Sequence, residues 1–240
     1  MRLPVVIAGA ILVFCGLCAP AAALADTKIG VQGLVISGTH GEPNGSYSGT
    51  GAGALLQLDQ TWQGVGLHLE GIPDIATANI RSGSQTLTAT IGMFAATARV
   101  AVDPHRKFWI GAGAELLGQR TPYFDLGRLY SSRLAGTRFE FDSVIPTSAD
   151  RFFETDFGAV PALNGDVKLI QFFSNGTLYT LRGSEHASMI DLAAAYGIRR
   201  GRFEYLYGLR SLNFAAKFAD GREADRNVGV GVTAAIRFTL

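Results

Sequence analysis

The chain has 240 residues and nearly balanced charge, with 21 Lys and Arg against 20 Asp and Glu, so nothing indicates a nucleic-acid or polyanionic partner. Only two cysteines occur, Cys15 and Cys18, which excludes a disulfide-stapled domain. After Asp26 no apolar stretch approaches the roughly 18 residues that a transmembrane helix needs, so spanning helices are excluded.

The N-terminal segment predicts a secretory signal peptide. Met1-Arg2 gives a basic start, 3–23 is almost wholly apolar or small, and Ala23-Leu24-Ala25 supplies the small-x-small pattern for cleavage. We therefore divide the chain into a cleaved signal peptide at 1–25 and a single domain at 26–240. Both cysteines leave with the signal, and the mature charge is then balanced.

Apolar and polar residues alternate with period two along most of the mature chain, which predicts β-strands. The clearest run is 228–240, where apolar even positions alternate with small or polar odd positions over a full span. A strand in a soluble sandwich is usually only about 5–6 residues long, so runs of this length favour a membrane barrel. Ten strands are predicted, at 27–39, 46–61, 63–73, 86–102, 107–120, 131–143, 151–165, 186–199, 201–218 and 227–240.

Because a spanning strand must pair all of its backbone groups, these strands predict a closed, antiparallel, up-and-down transmembrane β-barrel. The alternative is eight strands with one long extracellular loop. Tight turns are predicted at 62–63, 103–106, 146–150 and 200–201, and longer loops at 40–45, 74–85, 121–130, 166–185 and 219–226. Short periplasmic turns and long outer loops are typical of outer-membrane barrels.

Aromatic residues gather beside the predicted periplasmic turns. Amphipathic rings prefer the membrane–water boundary, so these residues predict an inner aromatic girdle. Its members are Trp62, Trp109, Phe141, Phe153, Tyr196, Phe203, Tyr205 and Phe238.

The strand pattern and the terminal Val-Thr-Ala-Ala-Ile-Arg-Phe-Thr-Leu resemble the small Gram-negative outer-membrane β-barrel proteins, over nearly all of the mature chain. The resemblance implies export through the periplasm to the outer membrane. It also implies contact with outer-membrane lipid and recognition of the C-terminal strand by the barrel-assembly machinery. No nucleic-acid partner is expected, and the oligomeric state stays open.

If the apolar faces meet lipid, the opposite faces carry charges into the lumen. Barrels of about eight strands are just wide enough for side chains to fill, so these charges are expected to pair and largely plug the interior. A narrow conducting path and a catalytic carboxylate pair are the alternatives. The predicted lumen charge network comprises His68, Glu70, Arg99, Glu115, Arg138, Glu140, Glu154, Asp191, Arg202, Glu204, Arg210 and Arg237.

Two enzyme alternatives rest on histidines. His186-Ala187-Ser188 resembles the His-x-Ser of outer-membrane lipid A deacylases, in which histidine activates a serine nucleophile. Omptin-type proteases also use about ten strands, and here His40 and His186 lie beside Glu42 and Glu185 near the predicted outer rim. His186 and Ser188 are only weak candidates, so we predict no catalytic residue, no cofactor and no metal site.

The segment 167–181 is too apolar for a free loop, and Ser174-Asn175-Gly176 predicts a type I′ hairpin within it. It could extend the barrel wall, fold inward as a lid, or contact a partner. The sequence thus predicts a non-enzymatic barrel that serves as a structural protein or a narrow small-solute channel. A lipid A-modifying or proteolytic enzyme and a surface adhesin acting through its loops are the alternatives.

Overall fold

The chain forms ten long strands in the computed structural model, which describes residues 26–42, 45–82, 85–123, 128–218 and 223–240. Among these residues no helix is long and apolar enough to cross a membrane. The segment 1–25, with the predicted signal peptide, lies outside the described residues. The strands are β1 (Asp26–Glu42), β2 (Gly45–Trp62), β3 (Val65–Ser82), β4 (Gln85–Ala101), β5 (Phe108–Tyr123), β6 (Arg128–Pro146), β7 (Arg151–Phe172), β8 (Leu178–Arg200), β9 (Phe203–Phe218) and β10 (Glu223–Thr239).

The strands close into one barrel. Each strand pairs antiparallel with its neighbours in sequence, and β1 pairs with β10 in a continuous register from Lys28↔Thr239 to Gly41↔Arg226. Closure leaves no strand edge to be satisfied by solvent, which a spanning sheet requires. The prediction of ten strands in an up-and-down antiparallel barrel is confirmed, and the eight-stranded alternative is wrong.

Tight turns connect the strands at the end of the barrel where β1 begins and β10 ends. Between β2 and β3, Gln63 and Gly64 have φ values of 40° and 96°. Two successive residues in the left-handed region define the two-residue type I′ hairpin, whose twist matches that of its flanking strands. We call this the periplasmic end, as the resemblance to outer-membrane barrels implies.

The longer turn between β4 and β5 is organised by Asp103. Its carboxylate accepts hydrogen bonds from the backbone N–H groups of His105, Lys107 and Phe108, at 3.0, 2.7 and 2.8 Å. Partial desolvation opposes ionisation, but these three donors outweigh it and hold the pKa of Asp103 below its ordinary value. The charge of Asp103 therefore fixes the turn that starts β5.

At the opposite, extracellular end the predicted long loops are largely strand. β3 continues to Ser82 and β4 begins at Gln85, while β7 continues to Phe172 and β8 begins at Leu178. The predicted alternation of long and short connections is therefore wrong. Where the strands extend beyond the bilayer, both of their faces meet water. The apolar alternation that marks a strand in the sequence therefore stops, whereas the backbone pairing continues.

Residues 167–181 extend the barrel wall as the tip of the β7–β8 hairpin. Gly176 has a φ of 81° and donates its N–H to the carbonyl of Phe173 at 3.0 Å, whereas Asn175 is not in the left-handed region. The predicted type I′ turn is therefore wrong, because that turn needs two such residues. From Leu178 to Ser184, towards the hairpin tip, the described residues of β8 pair only with β7. Large apolar side chains remain exposed there: Phe172, Phe173, Leu178, Tyr179 and Leu181.

Outward-facing side chains form an apolar belt around the barrel. They alternate along each strand with buried side chains, as in the pattern of β9 and β10. A continuous apolar surface of this kind is stable only against hydrocarbon. Members on all ten strands include Ile29, Val31, Leu56, Val65, Phe94, Val100, Ile110, Phe139, Phe157, Ile190, Leu192, Leu209, Val230, Val232 and Ile236.

Inside the barrel, a second apolar cluster lies towards the extracellular end. We call it the lumen apolar layer; β2 to β9 contribute Leu55, Ile72, Met93, Leu117, Leu134, Val160, Leu163, Ala187, Met189, Phe214 and Ala216. Along individual strands these residues follow the lumen charges, as Ile72 follows Glu70 and Leu117 follows Glu115. The lumen is thus layered, with most of its charges nearer the periplasmic end and hydrocarbon beyond them, followed by buried polar side chains such as Gln119, Thr121 and Glu185.

Candidate functional site

Arg138 on β6 is the centre of the lumen charges and is completely buried. Its Nη1 donates to Glu115 at 3.1 Å and its Nε to Glu140 at 3.2 Å, while its Nη2 lies 3.5 Å from both Asp156 and Asp191. One guanidinium therefore joins carboxylates from β5, β6, β7 and β8. A buried charge is tolerated only when it is paired in this way.

The space for this guanidinium comes from Gly158 on β7. A Cβ at that position would stand 2.3 Å from Cζ and Nη2 of Arg138, closer than real side chains approach. Glycine at 158 therefore leaves the room that the Arg138 guanidinium occupies, and a side chain there would displace it.

Arg210 and Arg99 make two further bridges across the lumen. Arg210 on β9 donates to Asp191 through Nε at 2.9 Å, and its Nη2 contacts both Asp191 and Glu70 on the far wall. Arg99 on β4 donates to Asp142 at 2.9 Å and to Asp59 at 2.6 Å. These contacts join strands that are distant in sequence.

His68 on β3 lies against the same acidic groups. Its Nδ1 is 2.7 Å from Oδ1 of Asp59, and its Nε2 is 3.8 Å from Glu70. One potential ligand atom from each of His68, Glu140 and Asp156 lies within 4.8 Å of the other two. An imidazole nitrogen and carboxylate oxygens in such a group can hold a metal ion.

A second ionic cluster lies closer to the periplasmic end. Glu204 receives hydrogen bonds from Lys28 at 2.9 Å and from Arg199 at 2.8 Å. Arg237 pairs with Glu154 through Nη1 at 3.0 Å and lies 3.3 Å from Glu204. Glu204 and Arg237 are buried, but Lys28, Arg199 and Glu154 are partly exposed, so water reaches the lumen from this end.

All but one of the predicted lumen charges lie inside the barrel. Arg202 is wrongly assigned to the lumen: it is exposed in the β8–β9 turn, beside Gly201 with a φ of 59°. Asp59 and Lys28 are lumen residues that the sequence reasoning missed; each has only one apolar neighbour in the chain, Leu58 and Ile29 respectively. The structure places the other predicted members inside the barrel, namely His68, Glu70, Arg99, Glu115, Arg138, Glu140, Glu154, Asp191, Glu204, Arg210 and Arg237.

Negative charge predominates in the middle of the lumen. Here the described residues provide seven carboxylates, three guanidinium groups and one imidazole. This set, which we call the charged layer, consists of Asp59, Glu70, Glu115, Glu140, Asp142, Asp156 and Asp191 with Arg99, Arg138, Arg210 and His68. Arginines alone therefore leave several buried carboxylates uncompensated, and a proton or a cation has to make up the difference.

Two members of the predicted aromatic girdle lie elsewhere. Trp62 and Trp109 are buried, and the ring of Trp109 lies 5.2 Å from Cζ of Arg99, so assigning them to a lipid-facing girdle is wrong. Their position beside a turn did not reveal which side of the wall they face. The remaining predicted members face outward at the periplasmic end, where several rings contact each other: Phe141, Phe153, Tyr196, Phe203, Tyr205 and Phe238.

The two weak catalytic candidates face the outside of the wall. His186 and Ser188 are both exposed on the outer side of β8, and the partner of His186 Nδ1 is Asn164 Oδ1 on β7 at 2.5 Å. Glu185 points inward instead, where it accepts a hydrogen bond from Tyr130 at 2.5 Å. The protease alternative needs Glu185 beside His186, but the two side chains lie on opposite sides of the barrel wall. The side chains of His40 and Glu42 lie outside the described residues.

Comparisons with known proteins relate the chain to others through its fold. No protein-family model matches the sequence, and no curated protein sequence matches it. The outer membrane protease OmpT from Escherichia coli shares 10% identity over 90% of this chain and 96% of its own, with a TM-score of 0.51. The β domain of the Bordetella autotransporter BrkA shares 15% identity over 88% of this chain and 99% of its own, with a TM-score of 0.46. The Pseudomonas putida toluene transporter TodX shares 9% identity over 92% and 91%, with a TM-score of 0.34.

The likeness to OmpT is one of fold alone, and it agrees with the closed topology. The apolar belt on all ten strands requires a lipid environment, which for a barrel of this class is the bacterial outer membrane. The protein is therefore a ten-stranded β-barrel of the kind found in the outer membranes of Gram-negative bacteria.

Proposed function

We propose that the protein is a non-enzymatic structural barrel with a closed lumen, exported through a signal peptide that is removed after Ala25. The observation that carries the proposal is the lumen apolar layer, to which eight of the ten strands contribute. Ions do not cross a dry hydrocarbon layer, and charges bound to each other below it are not free to guide solutes. We also propose that the assembly machinery recognises β10, which closes the barrel against β1.

Planar-bilayer recordings test the closed lumen. We expect the wild-type barrel to show no steady conductance. Replacing Leu117, Leu134 and Leu163 with alanine together should produce small ion-conducting events, because water can then enter the layer. The matched control replaces three lipid-facing leucines, Leu56, Leu192 and Leu209, and should stay silent.

A large, steady wild-type conductance would contradict the proposal. If Arg210→Ala then shifted the ion selectivity of that conductance without loss of stability, the narrow-channel alternative would be correct instead. Arg210 is suited to this distinction because it bridges β9 to Glu70 on the opposite wall.

The orientation can be checked by thiol labelling, because the mature chain has no cysteine of its own. A cysteine at Gly176, in the tip of the β7–β8 hairpin, should react with an impermeant reagent on intact cells. A cysteine at Pro104, in the β4–β5 turn, should react only after the outer membrane is broken. The opposite pattern would reverse the assigned orientation.

One observation favours a second candidate function, a lipid A-modifying enzyme. His186 and Ser188 share the lipid-facing side of β8, and Asn164 could orient the imidazole as a catalytic base requires. Against this candidate, the described partner of His186 is Asn164 and not Ser188.

Mass spectrometry of lipid A decides this point. We expect lipid A from cells producing the folded barrel to have an unchanged mass, and Ser188→Ala to make no difference. Loss of an acyl chain that depends on both His186 and Ser188 would establish the enzyme instead.

A further inference from the structure

We propose that the barrel interior binds one divalent transition-metal ion, of the zinc class, between His68, Glu140 and Asp156. The three residues project from β3, β6 and β7, so the ion would tie β3 to the neighbouring strands β6 and β7 across the lumen. The proposal goes beyond the closed barrel proposed above and does not depend on it.

The distances suit a metal centre. The ligand atoms lie within 4.8 Å of one another. Zinc binds imidazole nitrogen and carboxylate oxygen at about 2.0–2.2 Å, which places neighbouring ligand atoms about 3–4 Å apart. Small side-chain rotations therefore bring all three atoms to bonding distance of one ion.

The atoms that would bind the ion make no hydrogen bond within the described part of the chain. They are Nε2 of His68, Oε1 of Glu140 and Oδ1 of Asp156, and each is buried. His68 is 5% exposed and Glu140 is 4% exposed. Oδ1 of Asp156 lies 3.5 Å from Arg138 and Nε2 of His68 lies 3.8 Å from Glu70, so two of the three atoms have only long ionic contacts. Because a buried polar atom without a hydrogen bond is unfavourable, three such atoms close together suit a shared ligand.

Asp59 prepares His68 for this role. A carboxylate only accepts hydrogen bonds, so the contact of 2.7 Å between His68 Nδ1 and Asp59 Oδ1 requires a proton on Nδ1 and holds the ring in place. In the neutral ring, the lone pair on Nε2 is then available to a metal ion. Metal-binding histidines commonly donate their other nitrogen to a carboxylate in this way. Arg99 holds the same Asp59 oxygen at 2.6 Å and so keeps the carboxylate in place.

Charge and space agree with a cation. The charged layer has an excess of carboxylates over arginines, which a divalent ion would reduce. A cavity of about 50 Å³ adjoins two of the ligands, His68 and Asp156, and its lining also includes Glu70 and Asp142. A single water occupies about 30 Å³ in the liquid, so the cavity accommodates an ion or a water bound to it.

The ligand types select the class of metal. Magnesium and calcium prefer sites made of oxygen alone, whereas imidazole favours zinc and its neighbours in the transition series. The buried position and the ties to three strands point to a structural ion that stabilises the folded barrel.

Elemental analysis and calorimetry test the site on the whole mature barrel, refolded in detergent, stripped with chelator and titrated with Zn²⁺. We expect one Zn²⁺ per barrel, and an affinity at least tenfold lower in His68→Gln and in Asp156→Asn. Asp59→Asn should weaken binding by about 10- to 100-fold, the usual effect of losing a carboxylate behind a histidine ligand.

Two matched controls separate a site from general attraction. His186→Gln removes an exposed histidine on the outer wall, and Glu115→Gln removes a buried carboxylate of the same layer that is not a ligand. Both should bind Zn²⁺ like the wild type. Equal weakening in Glu115→Gln and Asp156→Asn would overturn the proposal, as would no bound Zn²⁺, or Mg²⁺ binding as tightly.

A measurement on the wild type covers the case in which the variants do not fold. X-ray absorption of the zinc-loaded barrel should show one imidazole and otherwise oxygen ligands around the ion. Absence of imidazole scattering would also overturn the proposal. A steady conductance of the wild-type barrel, by contrast, would contradict only the proposed function and would leave this test unaffected.

Discussion

Replacing Arg138 with methionine is expected to lower the free energy of unfolding by about 3–5 kcal/mol, because removing one partner of a buried ion pair leaves uncompensated charge. Arg138 contacts four carboxylates and is completely buried, so methionine keeps most of its volume and removes its charge. Urea unfolding of the refolded barrel in lipid vesicles, followed by tryptophan fluorescence, measures the loss.

The control for this experiment is Arg182→Met, since Arg182 is exposed on the β7–β8 hairpin. A surface change of this kind should stay within about 0.5 kcal/mol. Adding Glu115→Gln to the Arg138 variant should recover part of the loss, because one fewer carboxylate is then unpaired. Equal effects of the two arginine variants would mean that the charged layer is hydrated and its ion pairs contribute little.

Truncating Leu163 to alanine is expected to destabilise the barrel by about 2–5 kcal/mol, through lost burial and the cavity left behind. Leu163 is fully buried in the lumen apolar layer, between strands whose backbones cannot collapse inward. Leu209→Ala is the matched control, since Leu209 faces lipid and its truncation should cost about 1 kcal/mol. The same urea titration compares them, and a similar loss for both would mean that the layer is not tightly packed.

Strand number and topology could be predicted from the sequence because the bilayer imposes period two on every segment that crosses it. The run at 228–240 is an example, and it forms β10 from Glu223 to Thr239. Strand ends could not be predicted where the hairpins leave the membrane, since there the alternation disappears while pairing continues. This is why 166–185 was assigned to a loop although most of it is strand.

The lumen apolar layer could not be predicted for a related reason. Leu116 and Leu117 are consecutive, so one faces lipid and the other the lumen, and the sequence does not separate their roles. Period-two alternation reveals which side chains face the lumen only where the two faces of the strand differ in polarity.

The pairing of charges was beyond the sequence as well. Alternation placed Glu70 and Arg210 inside, but their contact depends on the register and diameter of a closed barrel with 140 positions between them. The same is true of His68, Glu140 and Asp156, whose spacing in the chain matches no metal-binding motif. Arg202 was misplaced because it lies in a turn, where the period no longer applies. Trp109 was misplaced because it was assigned by its closeness to a turn, whereas the period puts it on the same face of β5 as Glu115.

In the closed barrel that we propose, the charged layer of the lumen is open to solvent from the periplasm only. Lys28, Asp156 and Glu154 keep 29%, 18% and 21% of their side-chain surfaces exposed on the periplasmic side of the layer, whereas the leucines of the layer itself are almost completely covered. In such a closed barrel, protons and small ions exchange with the charged layer only from the periplasm. A change in the pH or salt concentration of the outside medium would then reach these side chains only after the periplasm has changed.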